Sequence, residues 1–88
     1  MEHNRPYPDT DVDIITVIPI ENKNLLIEFA NGKKRKYDVK RLFLEFPQFQ
    51  SLESEELFRT VKYGKYAVYW DETLDIAEVE LWYNGTDV

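Results

Sequence analysis

Cysteine is absent from the sequence, histidine occurs once, and glycine occurs only three times. Without cysteine the chain has no disulfide bonds and no thiolate metal ligands, and this composition favours the reducing cytoplasm, the location we expect. No apolar run approaches the roughly 20 residues that a membrane-spanning helix needs. None of the glycines lies in a phosphate-binding loop motif. We therefore expect no cofactor and no membrane partner.

No group of residues indicates a catalytic site. The single histidine, His3, lies in the N-terminal segment, where a solvated tail residue is a simpler interpretation than a general base. Three acidic residues, Asp71, Glu72 and Asp75, offer the oxygen ligands that Mg²⁺ prefers. The simpler interpretation is again structural, namely an acidic turn in which Asp75 caps the next element. We expect no catalytic residue and no bound metal.

Basic residues are few and unevenly distributed. The sequence has 11 Lys and Arg against 17 Asp and Glu, and its net charge of −6 opposes general binding to nucleic acids. Six basic residues nevertheless lie close together: Lys33, Lys34, Arg35, Lys36, Lys40 and Arg41. This basic patch could contact phosphate groups, or its lysines could prevent aggregation at a sheet edge. Strand alternation places Lys34 and Lys36 on one face, so the six side chains cannot all act together.

The clearest structural signal is a β-hairpin over residues 24–39, with Asn31-Gly32 at its turn. This dipeptide adopts positive φ at low cost, and apolar residues alternate on either side of it. A two-residue turn would place the apolar residues of the two strands on opposite faces of the hairpin. A three-residue loop instead pairs Glu28 with Lys34 and places these apolar residues on the same face. The second register collects five apolar side chains on one face: Leu25, Ile27, Phe29, Tyr37 and Val39. We predict this second register, with Gly32 at positive φ.

The β-branched residues 13–20 predict a first strand, which Pro19 confines to a sheet edge or to its own end. Apolar residues fall on both of its faces. Ile15 and Val17 are predicted to lie with Leu26 on the face that points away from the helices. Monomers rarely leave a large contiguous apolar patch in water. We therefore expect a partner to cover these three residues, most simply a second copy of the chain related by two-fold symmetry.

Two helices, a further strand and an ambiguous element follow the hairpin. Asp38 predicts the N-cap of a first helix that Pro47 ends, and Ser54 predicts the N-cap of a second, shorter helix. The apolar face of the first helix comprises Val39, Leu42, Phe43 and Phe46. Residues 66–70 alternate as a strand does, and residues 76–82 fit either a strand or a short helix.

These signals predict an α+β fold in a chain too short for two domains. We expect a small antiparallel sheet, made of a three-stranded meander plus a fourth strand, with two or three short helices on one face. The expected organisation is a flexible N-terminal arm at residues 1–12, a single α+β domain at residues 13–83, and a frayed C-terminus at residues 84–88.

The order of the signals resembles the bacterial domain-of-unknown-function family DUF2442 over about residues 12–83. The residues that carry the resemblance are Leu25, Phe29, Asn31, Gly32, Asp38, Val39, Leu42, Leu52, Phe58, Val61, Trp70, Asp75, Ile76 and Leu81. The resemblance implies an α+β fold with a small antiparallel sheet. Some members of that family carry an appended helix-turn-helix, and some are encoded beside a second small protein in a toxin–antitoxin-like arrangement. This chain departs from the family pattern at Glu78-Val79, where Pro-Glu is common, so the resemblance leaves open whether the last element is a helix or a strand.

Three function hypotheses follow. The leading one is a non-catalytic protein-interaction module, an antitoxin-like partner of a small protein or a homodimer, that uses Ile15, Val17 and Leu26. The alternative is a DNA-associated regulatory module that uses the basic patch. The third is a metal-assisted hydrolase built on the acidic residues near the C-terminus. A catalytic function has the least support, because no residue set resembles a known catalytic arrangement.

Overall fold

The structure is a computed structural model that describes residues 12–88. The predicted arm at residues 1–12, apart from Val12, and His3 therefore lie outside the described residues. Val12 is buried in the core.

The described chain contains seven strands, two α-helices and three 3-10 helices. The strands are β1 (Ile14–Ile20), β2 (Asn24–Phe29), β3 (Lys34–Asp38), β4 (Lys62–Tyr63), β5 (Ala67–Asp71), β6 (Leu74–Ala77) and β7 (Thr86–Asp87). The α-helices are α1 (Glu55–Phe58) and α2 (Glu78–Asn84), and the 3-10 helices are Glu21–Lys23, Val39–Leu42 and Pro47–Glu53. None of the helices within residues 12–88 has the length and apolar character needed to cross a membrane.

The strands form two antiparallel sheets, with the orders β1-β2-β3-β7 and β4-β5-β6. The predicted α+β fold with a three-stranded antiparallel meander is confirmed. The strand expected at residues 66–70 is β5, which belongs to the second sheet and not to the first. The fourth strand of the first sheet is instead β7, which pairs with β3 at Arg35 and Lys36. Within residues 84–88, where a frayed C-terminus is predicted, Thr86 and Asp87 pair with the sheet.

The β2–β3 hairpin adopts the predicted register. Glu28 pairs with Lys34, and the Phe29 amide donates a hydrogen bond to the Lys33 carbonyl oxygen at 2.9 Å. Gly32 has φ of 89°, and the Lys33 amide donates to Asn31 Oδ1 at 2.9 Å. The positive φ that Gly32 accepts at low cost is therefore what closes the three-residue loop.

A β-bulge in β1 changes which of its side chains reach the core. The register between β1 and β2 shifts between Ile14 and Thr16, so that Val17 pairs with Ile27 and Ile18 with Leu26. Paired residues lie on the same face of a sheet. Since Ile27 is fully buried, Val17 lies on the core side and packs against the core. The prediction that Val17 shares a face with Ile15 and Leu26 is therefore wrong, because it assumed uninterrupted alternation.

One hydrophobic core joins the two sheets. Its fully buried large side chains are Leu25, Ile27, Phe29, Tyr37, Val39, Leu52, Phe58, Val68 and Leu81. The Trp82 ring packs edge-on against Phe29 at a centroid distance of 5.2 Å. Trp70 packs against Phe58 and its Nε1 donates a hydrogen bond to the Phe58 carbonyl oxygen at 2.8 Å. The indole nitrogen is thus satisfied in the core, as a buried tryptophan requires.

The segment after β3 is less regular than predicted. Asp38 Oδ1 accepts a hydrogen bond from the Lys40 amide at 3.0 Å, but the helix it caps is the single 3-10 turn Val39–Leu42. Pro47 begins the next 3-10 helix, where its missing N–H costs no hydrogen bond. Phe46 precedes it with extended backbone and is 41% exposed. Phe46 was predicted to face the core, and the early end of the first helix is what turns it outward.

Candidate interaction surfaces

The outer face of the first sheet is the side that lies away from the core. Leu26 lies on it between two cross-strand neighbours, Ile18 on β1 and Lys36 on β3. Ile18 is 49% exposed, and the bulge residue Ile15 is 46% exposed. Of the three residues predicted for this face, Leu26 lies on it and is half-buried, and Ile15 is exposed at the bulge. Ile18 takes the position predicted for Val17.

Charged side chains border these apolar residues. Glu28 lies between Thr16 on β1 and Lys34 on β3, so an acid and a base are neighbours on the outer face. Lys34 and Lys36 are both exposed. The outer face thus combines an apolar strip with charges of both signs.

The six residues of the predicted basic patch do not form one surface. Lys34 and Lys36 share the outer face, and Lys33 lies at the hairpin turn. Lys40 is paired with Asp38 at 2.9 Å and also donates to the Asn22 carbonyl oxygen. Arg41 lies at a groove described below, and Arg35 is buried. A continuous track for a phosphate backbone is therefore not formed by these residues.

Arg35 is the member of the patch that the sequence placed wrongly. Its guanidinium carbon lies 4.0 Å from the centre of the Trp82 ring, and its Nε donates to the Trp82 carbonyl oxygen at 3.3 Å. Its Nη1 forms an ion pair with Asp87 in β7. Arg35 is only 5% exposed, on the core side of β3 opposite Ile27. The charge is thus used inside the fold, where it connects β3 to α2 and β7.

A groove of about 470 Å³ lies along α2. We call it the α2 groove, and its lining residues are Arg41, Leu42, Glu45, Phe46, Gln48, Phe49, Asp75, Ile76, Ala77, Glu80 and Asn84. Its apolar part comes from the two 3-10 segments after β3 and from β6. Its polar part carries three carboxylates and one guanidinium. The volume lies within the range of about 300–1,000 Å³ that is common for ligand sites.

Neutral hydrogen-bond donors fix the carboxylate of Glu80 at one wall of the α2 groove. Tyr37 Oη donates to Glu80 Oε2 at 2.6 Å, and Asn84 Nδ2 donates to Glu80 Oε1 at 2.9 Å. Arg41 Nη1 donates to the Asn84 carbonyl oxygen at 3.3 Å, and its guanidinium carbon lies 5.7 Å from the Tyr37 ring centre. Burial raises the pKa of Tyr37 well above its ordinary value, and the hydrogen bond to Glu80 raises it further. Tyr37 therefore keeps its proton, and Glu80 has a fixed orientation.

The acidic residues suggested for magnesium are not arranged as a metal site. Within residues 12–88, no group of three or more His, Cys, Asp and Glu side chains could hold a metal ion. Asp71 Oδ1 accepts hydrogen bonds from the amide and the hydroxyl of Thr73 at 2.8 and 2.9 Å, and these bonds lower the pKa of Asp71. The segment around Asp71 is thus a hydrogen-bonded turn between β5 and β6.

Sequence reasoning missed the α2 groove and the exposure of Ile18. The groove joins residues that are far apart in the chain, for example Arg41 and Asn84, which are 43 positions apart. A local signal for one contact was present, because Glu80 and Asn84 are four residues apart and meet on one side of a helix. No comparable signal connects Phe46 or Arg41 to α2.

Comparison with known proteins gives one result. The sequence model of a family described as "Protein of unknown function (DUF2442)" matches residues 14–87. No curated protein and no solved structure shows a significant match to the chain. The match extends over most of the 88 residues and includes both sheets and both α-helices. The chain therefore belongs to the DUF2442 family.

Proposed function

We propose that this protein is a non-catalytic protein-interaction module that associates through the outer face of its first sheet. The partner we favour is a second copy of the chain, and the other candidate is a small protein with a complementary surface, as in an antitoxin-like pair. The absence of cysteine supports a cytoplasmic setting for this interaction.

The observation that carries the proposal is the pairing of Ile18 with Leu26 on the outer face, where Ile18 is 49% exposed. Ile15 and Ile18 are about half exposed, although both are β-branched apolar residues in a seven-residue strand. Contact with a protein partner would remove these side chains from water at about 25 cal/mol per Å² of apolar area. An exposed apolar strip on a small domain supports a binding role better than a catalytic one.

The charges around the strip favour self-association. A two-fold axis brings the same surface of both copies together, so each contact occurs twice. Glu28 and Lys34 are neighbours on the outer face. Two copies related in this way can place Glu28 of one copy against a lysine of the other without leaving like charges opposed. Such complementarity contributes to specificity and to the rate of association more than to affinity.

Sedimentation equilibrium at about 100 μM protein tests the proposal. The parent protein is expected to dimerise, and Ile18→Lys is expected to be monomeric because it places a charge in the apolar strip. Val79→Lys is the matched control, since Val79 is 45% exposed, compared with 49% for Ile18, and lies on α2. This control should dimerise as the parent does.

The sedimentation result also separates the two candidate partners. A parent protein that is strictly monomeric contradicts self-association. Tagged protein is then purified from its native cells, and a small protein that is retained by the parent and by Val79→Lys, but not by Ile18→Lys, supports the antitoxin-like pair. If Ile18→Lys leaves both sedimentation and co-purification unchanged, the outer face is not an interface.

A further inference from the structure

We propose that the α2 groove is a docking site for an arginine-bearing segment of a partner protein. The groove shares no residue with the outer face of the first sheet, so this inference does not depend on the function proposed above. Two features carry it: an aromatic wall that is exposed and held in place, and an excess of carboxylates without cationic partners.

The aromatic wall is formed by Phe46. Its ring packs edge-on against the buried Phe49 at a centroid distance of 6.4 Å. The Phe46 amide donates to the Leu42 carbonyl oxygen at 2.9 Å, and the Phe46 carbonyl oxygen accepts a hydrogen bond from the Phe49 amide at 2.9 Å. The backbone that carries Phe46 is therefore fixed on both sides. Because Phe46 is 41% exposed, a ligand can lie against it without a rearrangement of the fold.

The carboxylates determine the charge of the occupant. Glu45, Asp75 and Glu80 line the groove, and within residues 12–88 none of the three forms an ion pair. The hydrogen bonds that hold Glu80 come from a phenol and an amide, which do not neutralise its charge. Arg41 is the single cation of the lining, and it donates to the Asn84 carbonyl oxygen. Three carboxylates against one guanidinium favour a cationic ligand over an acidic one.

Arginine fits this combination better than lysine. Its planar guanidinium stacks on an aromatic face and can donate two parallel hydrogen bonds to one carboxylate. A neutral apolar segment would bury the groove carboxylates without a hydrogen-bonding partner, which is unfavourable. The groove volume of about 470 Å³ accommodates an arginine side chain together with part of its flanking backbone. Shape and charge thus select a single arginine with its neighbouring residues.

The test uses two small probes and the full chain. N-acetyl-arginine methylamide is titrated into ¹⁵N-labelled protein, and N-acetyl-citrulline methylamide, which has the same shape without the charge, is the comparison. We expect saturable shifts of amide signals at residues 41–49 and 75–84, with a dissociation constant of about 1–10 mM for so small a ligand. Citrulline should bind about tenfold more weakly, because its hydrogen bonds to the carboxylates are not charge-assisted.

Variants of the groove separate specific docking from general attraction by the acidic protein. Asp75→Asn and Phe46→Ala should each weaken arginine binding about fivefold or more, and Glu80→Gln should do the same. Glu72→Gln is the matched control, since Glu72 lies at the β5–β6 turn outside the groove. This substitution removes one negative charge, as Asp75→Asn and Glu80→Gln do. It should leave the titration unchanged. Asp75→Asn and Phe46→Ala keep the test valid even if Glu80→Gln does not fold.

Four results would overturn the inference. The first is the absence of saturable amide shifts below about 20 mM arginine probe, and the second is equal binding of the arginine and citrulline probes. The third is a set of amide shifts spread over the whole acidic surface. The fourth is a loss of arginine binding in Glu72→Gln as large as that in Asp75→Asn. Each of them means that the α2 groove does not recognise a guanidinium.

Discussion

Tyr37 donates a hydrogen bond of 2.6 Å to Glu80, and this contact joins β3 of the first sheet to α2. Tyr37 is fully buried, and its ring belongs to the hydrophobic core. Its hydroxyl therefore places a polar contact at the boundary between the core and the α2 groove. One residue thus contributes to the packing of the fold and to the orientation of a groove carboxylate.

The stability contributed by the Tyr37 hydroxyl should depend on pH. At pH 7, Tyr37→Phe should lower the free energy of unfolding by about 1–3 kcal/mol, because the Glu80 carboxylate loses a buried donor. The folded pKa of Tyr37 is raised above the unfolded value of about 10. This contribution is therefore fully present below pH 10, and it is lost as the pH rises above 10, when the unfolded chain ionises first.

Urea unfolding of the parent and of Tyr37→Phe at pH 7, 9 and 10.5 measures this effect. The difference between the two proteins should be the same at pH 7 and 9 and should fall by roughly 1 kcal/mol at pH 10.5. Tyr69→Phe, on the exposed side of β5, is the control and should change the pH 7 value by less than about 0.5 kcal/mol. A difference that grows with pH contradicts the raised pKa.

The sequence predicted those parts of the fold that depend on short-range chemistry. Asn31-Gly32 specifies a turn, and alternation around it then leaves one register that buries the apolar set. Ser54 as the N-cap of α1 is equally local, since its Oγ accepts from the Leu57 amide at 3.2 Å. Such features can be predicted because the interacting residues are close in the chain.

The errors arise where distant residues decide the outcome. The basic run around Arg35 suggested a solvated surface, but the partners that bury its side chain, Trp82 and Asp87, follow 47 and 52 residues later. The bulge at Ile15 moved Val17 to the core side, although a regular strand pattern predicts the opposite. The α2 groove combines two distant stretches of the chain, residues 41–49 and 75–84, for the same reason. Local pattern therefore specified the hairpin, and tertiary packing specified the candidate surfaces.

The stacking of Arg35 on Trp82 should make Arg35→Lys destabilising although the charge is retained. An ammonium group cannot stack as a guanidinium does or reach Trp82 and Asp87 at the same time. We expect a loss of about 1–3 kcal/mol in the free energy of unfolding. Most of it should come from Trp82, because the Asp87 side chain is largely exposed and its ion pair is screened by solvent.

Urea unfolding of Arg35→Lys beside Lys36→Arg tests this expectation. Lys36 is the next residue of β3 and is exposed on the outer face, so its substitution should change the free energy by less than about 0.5 kcal/mol. Equal stability of Arg35→Lys and the parent protein would mean that the buried guanidinium contributes through its charge alone.

The last prediction concerns the conformation of Gly32 at the hairpin loop. A Cβ added at Gly32 or at Gly64 would have no heavy atom within 4 Å, so the Cβ itself clashes at neither position. The two positions differ in backbone conformation, because only Gly32 has a positive φ, of 89°. Gly32→Val should therefore lose at least about 1 kcal/mol more than Gly64→Val in urea unfolding, since a β-branched residue is strained at positive φ. Equal losses would show that side-chain crowding or loop entropy, and not the sign of φ, sets the cost at both glycines.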